Sequence, residues 1–118
     1  MSLSLAPVQS WNLMDIEAPS GTRDPMVIHS GNEARAVVIV LTPGQGLGDH
    51  QVKENAWITL LEGSAHVSAG GETVQATPGM LFRFDPDERH SLSSDEGARI
   101  LLLLAPWPGD GHYRGSQS

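Results

Sequence analysis

The sequence predicts an all-β domain, a sandwich or a barrel, on three observations. Short runs rich in valine, isoleucine, leucine, phenylalanine and threonine follow one another along most of the chain. Clusters of glycine, proline and aspartate punctuate them. No stretch keeps a helical period through three turns.

Taken in order, the runs Met26–His29, Ala36–Leu41, Trp57–Leu61, Ala65–Ser68, Thr73–Gln75, Met80–Phe84 and Arg99–Leu104 read as strands. Thr42-Pro-Gly-Gln-Gly-Leu-Gly, Glu62-Gly63, Gly70-Gly71, Thr77-Pro78-Gly79 and Asp85-Pro-Asp-Glu read as turns, because glycine supplies positive φ and proline cannot donate to a ladder. Alternation orients several strands. Met80, Phe82 and Phe84 share one face opposite Leu81 and Arg83, and Ala65 and Val67 oppose Ser64, His66 and Ser68. Ala36–Leu41 and Ile100–Leu104 are apolar throughout, the pattern of strands covered on both faces or lying at a subunit contact, which suggests a homodimer.

A chain of 118 residues, 39% hydrophobic and 18% charged, suits one packed core. We therefore expect a single domain over 1–118, with the barrel at about 36–104 and peripheral arms at 1–25 and 106–118. Fourteen acidic against seven basic side chains give a formal charge of −7, so nucleic acid is not an expected partner. Without cysteine there are no disulfides or thiolate metal sites. Neither a leader pattern nor a membrane-length apolar run is evident, so no membrane partner and a cytoplasmic location are the expectation.

His50 and His90, forty residues apart on two expected strands, each sit in a glycine-led motif. Gly44 is followed after five residues by His50, Gln51 and Val52, then after three more by Ala56 and after six by Gly63. Gly79 is followed after five residues by Asp85, Pro86 and Asp87, then by His90 and Ser94. These segments resemble the two signature motifs of the cupin superfamily, in which the first reads glycine, five residues, His-x-His, three or four residues, Glu, six residues, glycine. The second reads glycine, five residues, Pro-x-Gly, two residues, His, three residues, Asn. The leading glycines, Gly63 and both histidines stand in register, whereas Val52, Ala56, Asp85, Asp87 and Ser94 depart from the pattern.

The resemblance implies a cupin-type jelly-roll β-barrel with His50 and His90 facing one interior space. It also implies a candidate divalent transition-metal site for iron, manganese, nickel or zinc. Family members hold the ion with three histidines and one glutamate, and losing two of these donors leaves too few for firm binding. Glu54 is the candidate third ligand, although Lys53-Glu54-Asn55 also reads as an exposed turn. Phe82 is a candidate cavity wall, while Phe84 reads as core, and His29, His66 and His112 read as lying outside the site. The expected function is small-molecule binding by a cupin domain with an incomplete metal site. The alternative is a metal-dependent dioxygenase, isomerase or decarboxylase acting on a small metabolite.

Overall fold

The computed structural model describes residues 8–18 and 24–112, and expectations for the remainder of both arms lie outside the described residues. Strands β1 (Met26–Ser30), β2 (Arg35–Leu41), β3 (Gly46–His50), β4 (Asn55–Gly63) and β5 (Ala65–Ala69) are followed by β6 (Glu72–Ala76), β7 (Leu81–Phe84), β8 (His90–Ser93) and β9 (Ala98–Ala105). They form a five-stranded sheet, β1-β2-β9-β4-β7, and a four-stranded sheet, β3-β8-β5-β6. Every pairing is antiparallel. The architecture is a jelly-roll sandwich, and its facing sheets bury a core that includes Ile39, Ile58, Leu60, Val67, Leu92 and Ile100.

The alternation expected of β5 and β7 is observed, with Ala65 and Val67 buried and Phe84 buried beside exposed Arg83, and β4 alternates likewise, with Ala56, Ile58 and Leu60 buried while Trp57 is half-buried. In β2 both faces are covered. Val37 and Ile39 enter the core, and Val38, on the opposite face, is also fully buried. Part of the N-terminal segment lies on this outer side, where the Arg99 guanidinium donates to the carbonyls of Leu13 and Ile16 at 3.1 and 2.8 Å. The C-terminal segment is not simply an extended arm. Trp107 donates its backbone N–H to Asn32 and lies under the Arg35 guanidinium, 4.1 Å from the ring centroid.

Two strands fall outside the runs expected from composition. β3 begins inside the glycine cluster read as a turn, and its entry next to β8 depends on a missing side chain. A Cβ at Gly46 would come within 2.8 Å of the Leu92 carbonyl oxygen. β8 is only four residues long and mixes serine with His90 and Leu92, too short and too polar for a composition signal.

The turns on either side of β8 are built from the residues that depart from the family pattern. Asp87, in the position the motif gives to glycine, has φ = 67°, and aspartate tolerates this left-handed conformation better than most residues. Its carboxylate accepts from Lys53 Nζ at 2.8 Å, and its N–H donates to the Val52 carbonyl at 2.7 Å. Ser94, in the asparagine position, is buried, donates its hydroxyl to the Ser64 carbonyl at 2.6 Å and accepts from the Gly97 N–H at 2.8 Å.

Thermal or denaturant unfolding checks both turns. Ser94→Ala strands two part-buried backbone partners and should cost about 1–3 kcal/mol. Asp87→Gly relieves the backbone and removes only an exposed ion pair, so its stability should match or exceed that of the parent, whereas Asp87→Val should lose about 1–2 kcal/mol.

Candidate functional site

His50 and His90 are brought together by strand register. They are direct partners in the β3–β8 ladder, and their ring centroids lie 4.3 Å apart in an edge-to-face arrangement. Since Leu92 is buried in the core, period-two alternation sends His90 to the same interior face, and His90 is only 2% exposed. Phe84, from the opposite sheet, stacks on His90 with centroids 4.2 Å apart and planes 5° from parallel. Phe84, read from sequence as core alone, thus belongs to the site as well. The two-residue alternation that put Phe82 on the interior face placed Phe84 there too.

Both rings are held in one tautomer. His50 Nδ1 lies 2.6 Å from the Gly48 carbonyl oxygen and His90 Nδ1 lies 3.0 Å from that of Glu88. A carbonyl can only accept, so Nδ1 carries the proton in each ring and Nε2 is the acceptor when the ring is neutral. Burial lowers the pKa of His90, and the neighbouring His50 pushes the same way. The Glu88 carbonyl and the carboxylates of Glu88 and Asp49 oppose the shift without cancelling it. His90 is therefore a neutral, buried base.

The other two family ligand positions contribute hydrocarbon. Ala56 is fully buried in β4 opposite Phe84 and Leu104, and Val52 packs against the core. Glu54, expected as a third ligand or as an exposed turn residue, is neither of these in the structure. It is completely buried, with Oε2 accepting from the Gly109 N–H at 2.7 Å and lying 2.9 Å from His112 Nδ1. Its Oε1 has no hydrogen-bond partner among the described residues. Among the described residues no three histidine, aspartate, glutamate or cysteine side chains gather where they could hold an ion, so the donor set does not fit the family's metal.

His112, expected at the surface, is instead half-buried between Glu54 and the Trp107 ring, whose centroid is 4.7 Å away. His66 and His29 lie outside the interior, as expected, paired with Asp95 and Glu33 respectively. The acidic turn of Asp85, Asp87 and Glu88 is solvated, with Asp85 bonded to Arg83 and Asp87 to Lys53.

Phe82 and Phe84 line a cleft of about 220 Å³ together with Val67, Ala69, Val74, Glu72 and Glu88. The cleft opens between β6 and β7, the edge strands of the two sheets. Phe84 thus touches both the cleft and His90. The arrangement offers an apolar wall, two acceptor nitrogens and no cationic lining group among the described residues.

Comparison with known proteins agrees with this architecture. Among solved structures, a conserved protein with a double-stranded β-helix domain from Klebsiella pneumoniae superposes with a TM-score of 0.76 at 18% identity, covering 87% of this chain and 95% of its own. An RmlC-like cupin from Desulfovibrio desulfuricans gives 0.75 at 19% identity, covering 84% and 97%. A cupin superfamily protein from Desulfitobacterium hafniense gives 0.72 at 12% identity, covering 79% and 85%. At these identities the likeness is one of fold. A search of curated proteins gave no match. The family model described as the cupin domain matches residues 37–104, more than half of the chain, and with the two-sheet jelly roll this establishes that the chain belongs to the cupin domain family.

Proposed function

We propose that this chain is a small-molecule-binding cupin protein whose interior polar centre is His50 and His90, with Phe82 and Phe84 as the apolar wall and an incomplete set of metal donors. The observation that carries the reading is the cross-strand pairing of two same-tautomer imidazoles inside the sandwich, beside an aromatic cleft. Pockets of this composition bind by burying an apolar body while a few placed polar atoms fix its orientation. A dioxygenase, isomerase or decarboxylase of metal-dependent type needs more donors than Val52 and Ala56 leave.

We further propose a cytoplasmic homodimer. No helix among the described residues is long and apolar enough to cross a membrane, and the chain has no cysteine. The outer face of the five-stranded sheet carries Trp57, Leu101 and Leu103 only partly buried, with Leu81 61% exposed, which supports contact with a second copy. Light scattering coupled to size exclusion should give twice the chain mass, and Leu101→Asp should shift it to one.

Elemental analysis of untagged protein, before and after titration with iron, manganese, nickel and zinc and subsequent dialysis, should find well under one ion per chain. Near-stoichiometric metal that disappears in His50→Ala would overturn the incomplete-site reading.

His90 also makes stability depend on pH. Its folded pKa lies below the ordinary value of about 6.5, so the unfolded chain takes up the proton first as pH falls. The stabilisation is complete above about pH 6.5 and is lost progressively below it, down to the folded pKa, at up to about 1.4 kcal/mol per pH unit. Denaturant titrations at stepped pH should show His90→Gln losing less stability than the parent as pH falls below about 6.5, the unfolded value.

A further inference from the structure

The cleft between β6 and β7 has a marked charge bias. Phe82 and Phe84 form one wall, Val67 and Ala69 the other, and the charged lining consists of Glu72 and Glu88. Glu88 is braced, its Oε1 accepting from the Asp85 N–H at 2.9 Å, which leaves its second oxygen available. Glu72 is exposed at the start of β6 and has no cationic partner among the described residues. Behind Phe84, His90 is 2% exposed and its Nε2 has no hydrogen bond among the described residues, since the Glu88 carbonyl engages Nδ1 alone.

The charged groups lining the cleft are both acceptors, the carboxylates of Glu72 and Glu88, and the imidazole pair behind Phe84 adds no cation to the lining. Aromatic faces add to the bias, because their quadrupole attracts cations. An anion placed in such a space loses its hydration and meets negative charge at short range, without a guanidinium or ammonium to receive it. An ammonium group meets the opposite: carboxylates and ring faces, with an apolar slot for its hydrocarbon part.

We propose that this cleft selects a compact organic cation, a primary amine on a small aromatic or branched apolar body, over a carboxylate of the same shape. The proposal rests on the interior being a small-molecule site and specifies the chemical class of its ligand.

Three probes of matched shape test it on the full chain near neutral pH: 2-phenylethylamine, 2-phenylethanol and 3-phenylpropanoate. Each is titrated while the resonances of Phe82, Phe84 and His90 are followed by NMR. The amine should bind at least about tenfold tighter than the carboxylate, with the alcohol between them. Glu72→Gln should weaken the amine by about fivefold to tenfold and leave the alcohol unchanged. Carboxylate binding equal to or tighter than that of the amine would overturn the cation selectivity while leaving the small-molecule reading intact. So would an amine affinity unmoved by Glu72→Gln. If none of the three perturbs these residues up to about 10 mM, where even weak fragments register, both the selectivity and the underlying reading fail.

Discussion

The register of β8 is the constraint on which the rest of this site depends. Because successive side chains in a strand face opposite sides, a slip of one residue would turn His90 to solvent and bring Ser91 inward. Four residues of ladder are a weak hold by themselves. The register is set from the two ends, by the left-handed Asp87 before the strand and by the buried Ser94 hydroxyl after it. Pairing on both sides, with β3 and with β5, then places His90 opposite His50 on one neighbour and Ala69 on the other.

Once His90 is inside, the chemistry of the neighbouring positions decides its state. Val52 and Ala56 supply hydrocarbon where the family motif supplies an imidazole and a carboxylate. An anionic donor at the glutamate position would favour a protonated histidine or a bound cation. Without it, the face of Phe84 lies against His90, desolvation dominates and the ring stays neutral. Hydrocarbon at these two positions therefore leaves a pair of lone pairs in the interior, which is chemistry suited to hydrogen-bond donors.

Much of the fold was legible in the sequence, because alternation and turn residues carry it. The orientation of Phe82, Phe84, Ala65 and Val67 followed from period two alone, and the two histidines followed from their motif spacing. What composition alone hid has physical reasons. β3 was masked by glycines, of which Gly46 is needed by the close approach of Leu92 and so marks a strand contact in the guise of a turn. β8 lacks the β-branched composition that signals strands. The burial of Glu54 depends on Gly109 and His112, 55 and 58 residues further on, and no local pattern reports so distant a contact.

Glu54 also shows how the molecule separates its carboxylates by role. One of its oxygens is held by the Gly109 N–H and by His112, and the segment carrying them can come this close because Gly109 has no side chain: a Cβ there would run into the Lys53 carbonyl oxygen. A buried carboxylate whose other oxygen finds no partner among the described residues is costly, so it persists only where the surrounding chain is locked around it. Committed to the C-terminal segment in this way, Glu54 adds no donor to the imidazole pair. The negative charge at the aromatic cleft comes instead from Glu72 and Glu88 at its lining, where water can still reach the carboxylates and a ligand can displace it. The charge proposed to select a ligand is thus kept apart from the charge that secures the chain, and either can be altered by substitution without dismantling the other.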